Sequence, residues 1–142
     1  MQARDIIDKL ALQPHPEGGW YRQTWCATAK NGARPAGTAI YYLLEKHQKS
    51  HWHHVDADEI WHYYAGAPLT LSIAENDIGP ARDYVLGPNI LQGEEPQILV
   101  PKHRWQAACA NDDWTLVGCT VSPAFQFEGF HLAPEGFDIP RG

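Results

Sequence analysis

The sequence predicts an all-β sandwich or barrel with one short helix in front of it. Short runs rich in β-branched and aromatic residues recur along the chain, about nine or ten of them, with turn residues every ~8–12 positions. Helical periodicity occurs once, near the start. At 142 residues, with 44% hydrophobic and 20% charged positions, the chain fits one domain spanning residues 1–142, with a single core. No linker, internal repeat or low-complexity stretch divides it.

Residues 3–12 place Ile6, Ile7 and Leu10 at helical spacing with charges opposite, and Pro14 stops the helix. Gly18-Gly19 punctuates, and 20–28 then reads as a strand. Residues 30–37 form a hairpin-type loop around Asn31-Gly32. The run 38–46 is a strand of aromatic and branched residues. Residues 51–64 split at a VDAD turn into strands at 51–55 and 59–64. Leu69, Leu71 and Ile73 alternate with Thr70 and Ser72 over 69–74, the pattern of a half-buried strand. Further strands follow at 83–86, 97–101, 104–110 and 113–122. Phe125, Phe127 and Phe130 mark a closing segment packed on the body or on a partner, as core or dimer contact.

A formal net charge of -6 argues against nucleic acid and gives no support for an anionic membrane surface. No apolar run is long enough to span a bilayer, and the charged first dozen residues do not read as a secretory signal. Cys26, Cys109 and Cys119 match no zinc spacing and are expected to be reduced, mostly buried thiols of a cytoplasmic protein.

The chemistry concentrates in 51–64. On a regular strand His51 and His53 share one face, with Trp52 and His54 on the other. On the next strand Glu59, Trp61 and Tyr63 share a face, and Ile60, His62 and Tyr64 take the other. If the two strands pair, His51, His53 and Glu59 converge. Two imidazoles and a carboxylate suit acid–base work, or one divalent metal ion such as Zn, Fe, Mn or Ni. Hydrogen-bonded polar residues in a barrel mouth would show the same pattern. Trp61 and Tyr63 are expected in the pocket wall, with plain core the alternative.

This stretch resembles the first motif of the cupin superfamily: His, any residue, His, a gap, Glu, six residues, Gly. Here it runs His51, Trp52, His53, a gap of five, Glu59, six residues, Gly66. The gap is one residue longer than usual, so either His53 or His54 aligns as the second ligand. The second cupin motif corresponds to Pro101–Ala110. There His103 replaces a Gly, Gln106 stands where the third metal His belongs, and Ala110 replaces an Asn. The resemblance therefore implies a metal set of His51, His53, Glu59 and Gln106, although an amide oxygen is a weaker ligand than imidazole. Gln106 also reads as a hydrogen-bond donor to substrate. The segments 14–25, 58–66, 100–108 and 122–133 are similar to a narrower group of small single-domain cupins without an assigned reaction. That similarity implies a cupin-type double-stranded β-helix, a dimeric jelly-roll barrel related to sugar-nucleotide epimerases and germin-like proteins. Glu17, Tyr21 and Arg22 fall in the first matching segment, as an edge strand or as a border of the pocket.

Two functions follow as expectations. One is an isomerase, epimerase or lyase acting on a sugar derivative or small organic acid, with His51, His53 or Glu59 moving a proton. Trp61, Tyr63, Gln106, Tyr21 and Glu17 would hold the ligand. The other is a non-catalytic ligand-binding or storage module. A homodimer is expected from the resemblance and the surplus of aromatics.

Overall fold

The computed structural model describes residues 1–142. Helix α1 (Ala3–Lys9) opens with a capping box between Gln2 and Asp5. Its Ile6 and Ile7 pack with Leu12 on Leu43, outside the main body. Eleven strands follow: β1 (Gln13–Pro14), β2 (Trp20–Cys26), β3 (Thr38–Leu44), β4 (Lys49–Val55), β5 (Asp58–Gly66), β6 (Leu69–Ala74), β7 (Arg82–Leu86), β8 (Gln97–Val100), β9 (Trp105–Ala110), β10 (Thr115–Ser122) and β11 (Phe130–Leu132).

They form two antiparallel sheets, ordered β1-β2-β3-β10-β5-β8 and β11-β4-β9-β6-β7. The sheets face each other as a jelly roll, and no strand pairing closes them into one continuous barrel. Leu69, Leu71 and Ile73 enter the core as the alternation over 69–74 predicts, but the strand is not half-buried, because Ser72 and Ala74 on its other face are buried as well. The two strands without a sequence signal, β1 and β11, span two and three residues, too short for any period to show.

β10 runs between β3 and β5 and divides the interior into two halves. Val121 stands beside Glu59 and Thr38, and Cys119 beside Trp61 and Ile40. Val117 lies beside Tyr63 and Tyr42. Towards the Tyr42 end the space is filled by Leu44, Trp61, Leu69, Leu71, Leu86 and their neighbours, all buried. Dense apolar packing there supplies the main stabilisation of the fold. Towards the Thr38 end the interior is hollow, with polar groups at its centre and an apolar wall, and this half holds the site.

Two devices keep the frame in place. Gly118 on β10 has no side chain because the Tyr64 ring lies against its Cα, where any Cβ would collide. The C-terminal tail straps the outer side of the second sheet. Trp52 is buried there with Ala74, Ala133 and Ile139 and donates from Nε1 to Asp138 Oδ1 at 2.8 Å. Trp25, Tyr64 and Leu99 remain exposed. Cys119 is buried but Cys26 is exposed, contrary to the expectation of mostly buried thiols. No helix is long and apolar enough to cross a membrane.

Candidate active site

The polar half encloses a cavity of about 210 Å³, lined by side chains from β2, β3, β4, β5 and β10, the loop before β2, and the Phe125–Phe127 segment. At about 30 Å³ per water, that is room for about seven water-sized groups. Glu17, His53 and Glu59 are its ionisable centre, with His15, Tyr21, Gln23 and Cys119 around them.

Glu17 reaches the cavity because the preceding turn folds against β4. Gly18 has a φ of +109°, and any side chain there would strike the Lys49 carbonyl. The Tyr42 hydroxyl donates to the Gly18 carbonyl oxygen, and the His51 backbone N–H donates to the Glu17 carbonyl at 2.8 Å. Glu17 Oε2 accepts from the Ser50 hydroxyl. Its Oε1 lies 3.5 Å from His15 Nδ1 and 3.6 Å from His53 Nε2.

His53 turns inward because β4 is bulged. Ser50 pairs with Ala108 and His53 with Gln106, so three steps on β4 match two on β9. The extra residue breaks the alternation, and both Ser50 and His53 face the interior. His51 therefore does not share a face with His53. It lies in an outer groove with Trp52 and Arg141, and its Nε2 lies 3.0 Å from the Pro134 carbonyl. His54 also faces outward, stacked on His131 at 4.7 Å between ring centroids, so His53 is the inward histidine.

Glu59 is held from behind. Gln106 Nε2 donates to Glu59 Oε1 at 3.0 Å, and Gln106 Oε1 accepts from Trp61 Nε1 at 2.8 Å. Gln106 is fully buried and lines no part of the cavity, so it orients Glu59 instead of donating to a ligand. Trp61 is core, edge-on to Tyr42 at 5.8 Å. Tyr63 points past the cavity and donates to the Gly66 carbonyl at 2.6 Å. Neither forms the pocket wall. That place is taken by Tyr21, Ile40, Val55, Val121, Phe125 and Phe127. The Phe-rich segment is thus pocket wall as well as packing. Tyr21 and Glu17 do line the cavity, from the same chain.

Burial sets the electrostatics. It pushes the Glu59 carboxyl up to about 7; His53 pulls it back and the Glu17 charge raises it further. Glu17 is also raised by burial, against the pull of His15. Burial lowers both His53 and His15, so both are neutral near pH 7. Cys119 is pushed well up by burial and the two carboxylates, and stays a thiol. Tautomers follow from the partners. His53 Nδ1 is 2.7 Å from the His51 carbonyl, so it carries the proton and leaves Nε2 as a lone pair. His15 Nδ1 accepts the Glu17 backbone N–H at 3.1 Å, so its proton is on Nε2.

The expected metal set is not assembled. His51 is outside the cavity, and the Gln106 amide is committed to Trp61 and Glu59. No three His, Cys, Asp or Glu side chains are placed to share a metal ion. Sequence reasoning missed His15, Gln23, Thr38, Cys119, Phe125 and Phe127 in the cavity. Only His15 carried a usable signal, an imidazole two positions from Glu17 just before a Gly-Gly turn.

A family profile described as Cupin superfamily (DUF985) matches residues 4–133. The chain belongs to the cupin superfamily. The cupin is similar to a crystallised protein from Shewanella oneidensis, with 39% identity, TM-score 0.87, and coverage of 94% of this chain and 85% of that one. It is also similar to a hypothetical protein from Leishmania major, with 30% identity, TM-score 0.85, and coverage of 96% and 90%. An oxalate decarboxylase from Bacillus subtilis shares the fold alone, at 11% identity and TM-score 0.64. This cupin spans 84% of its own length but only 29% of that enzyme. No curated protein sequence matches the chain significantly.

Proposed function

We propose that this cupin is an enzyme that moves a proton on a small polar molecule, in an isomerisation, epimerisation or lyase step. The observation that carries the reading is the convergence of Glu17, His53 and Glu59 on one cavity, with His53 and Glu59 buried and the Glu17 side chain only 10% exposed. A carboxyl near pH 7 exists in both protonation states under working conditions, so Glu59 can take a proton or return one. The His53 Nε2 lone pair is a second acceptor facing the same space. Isomerisation and epimerisation need one group to remove a proton and another to deliver it, and these two provide the pair. Gln106 holds the Glu59 carboxyl in one orientation. The aromatic walls exclude water and strengthen the electrostatic terms inside.

The test is hydrogen exchange. A panel of sugars, amino sugars and hydroxy acids is incubated with the chain in D2O and followed by proton NMR. Wild type is expected to incorporate deuterium at a carbon of at least one compound, or to form product. Glu59→Gln should slow this by about 10²–10⁴-fold. Full activity in that variant would remove Glu59 from the mechanism. Binding without exchange or product across the panel would favour the second reading, a non-catalytic binding or storage module.

A further inference from the structure

We infer that the buried end of the cavity is built for a positively charged hydrogen-bond donor, a primary ammonium group, and not for a carboxylate or phosphate. The inference rests on the reading of this cavity as a substrate site and names the substrate's chemical class.

The first support is the charge of the lining. Glu17 and Glu59 are both there, with no Lys or Arg among the lining residues. An anion placed between them would meet two carboxyl groups and no counter-charge, in a medium where unpaired charge is expensive. A cation would find compensation from both.

The second support is the hydrogen-bond inventory. Four donors around the carboxyls are committed, while the Tyr21, Gln23 and Thr38 side chains and the His15 Nε2–H also line the cavity. The Ser50 hydroxyl goes to Glu17 Oε2, the Gln106 amide to Glu59 Oε1, and His53 Nδ1 to the His51 carbonyl. The Glu17 backbone N–H goes to His15. Glu17 Oε1 and His53 Nε2 remain as acceptors facing the cavity, and Glu59 adds a carboxyl that also meets the Cys119 thiol. Glu17 Oε1 and His53 Nε2 are 3.6 Å apart, both acceptors, and too far apart for a hydrogen bond. A donor atom lying against both would satisfy them. An ammonium group offers three N–H donors, no acceptor and one positive charge, which suits acceptors set between two carboxyls. A hydroxyl offers one donor and no charge to set against the two carboxyls.

The third support is the wall. Tyr21, Phe125 and Phe127 present aromatic rings to the same space, and ring faces attract cations.

The probes are two matched sets on common skeletons: glucosamine, glucose and glucuronate, and ethanolamine, ethylene glycol and glycolate. Binding to the intact chain is measured at pH 7.5 by calorimetry and by NMR shifts of the His53 ring. The amine of at least one set is expected to bind about tenfold or more tighter than its hydroxyl analogue, with the carboxylate weakest. Glu17→Gln and Glu59→Gln should each weaken that amine about tenfold. Both variants keep side-chain shape and remove a buried charge, and their folding is checked by circular dichroism. Ethanolamine affinity should rise from pH 5.5 to 8 as the carboxyls ionise, because its ammonium group stays protonated over that range. Carboxylates or hydroxyl analogues binding as tightly as amines, or no amine binding at millimolar concentration, would overturn the inference. Amine binding without exchange or product leaves the inference standing and removes the proposed activity. Turnover of a hydroxy acid with no amine preference does the reverse.

Discussion

His51 and His53 sit two positions apart on β4 and meet different surroundings. His53 is 2% exposed, fixed in one tautomer, and faces Glu17 across 3.6 Å. His51 lies under the C-terminal tail in an outer groove and bonds to a backbone carbonyl. Residue type is the same, so the difference comes from backbone geometry: one extra residue between Ser50 and His53 turns one imidazole inward and leaves the other outside. Burial, a locked ring and a nearby carboxylate set His53 apart, and under the proposed function they, and not its place in a motif, are what would make it the reacting histidine.

The comparison is broken most directly by removing each ring in turn. His53→Ala is expected to lower the exchange activity by about 10²–10⁴-fold, the usual range for loss of a positioned acid–base group. His51→Ala should change it by less than about threefold and shift stability within about 0.5 kcal/mol. Deuterium incorporation and urea unfolding of both variants measure this. Equal losses from the two substitutions would mean that His51 supports the site through the tail.

The interior's two halves differ in the same sense, since one is apolar and the other carries buried acids. Glu59 is raised from 4.5 to about 7, so the folded chain holds a proton that the unfolded chain releases within that interval. Its contribution to stability is complete below about pH 4.5 and is lost as pH rises through about 7, on the order of 3 kcal/mol. His15 and His53 are lowered by burial, so the stability they contribute is lost in the other direction, as pH falls below 6.5. The opposing slopes overlap, so the test is a difference. Urea unfolding of wild type and Glu59→Gln at pH 4.5 and pH 8 should show the variant gaining on wild type by on the order of 2–3 kcal/mol across that range. A constant gap would show that another group carries the proton.

The same local geometry explains what the sequence could tell. β5 is regular from Asp58 to His62, and the inward placement of Glu59 and Trp61 follows from simple alternation. β4 is bulged, and alternation there selects the wrong partner for His53. A bulge leaves no trace in composition, so the choice between faces was not legible. Trp61 was legible as inward, but inward meant core, because the boundary between cavity and core falls within one strand. Glu17 and Tyr21 were reachable only through a family-like segment. Phe125, Phe127 and Cys119 come from distant parts of the chain, and only the sheet register brings them to Glu59.

The smallest effect expected is at the mouth. Arg34 binds the Asp56 carboxylate through both terminal nitrogens, at 3.1 and 2.7 Å, and donates from Nε to the Ala124 carbonyl at 2.9 Å. It thereby ties the loop before β3 to the turn after β4 and to the segment carrying Phe125. The Phe125 backbone N–H also donates to Thr38 Oγ1 at 3.0 Å, which anchors the same segment on the cavity side. Bidentate pairing is stronger than a simple surface ion pair, but Asp56 is 38% exposed and solvent screens part of the gain. Arg34→Ala should therefore cost only about 1 kcal/mol of stability. Its functional effect falls on binding, because no acid–base group moves while the Phe125–Phe127 wall loosens. KM should rise a few-fold with kcat nearly unchanged, the signature of lost uniform binding. A fall in kcat with KM unchanged would mean that the mouth helps to position Glu59 or His53, and the inner and outer parts of the site would then act as one unit.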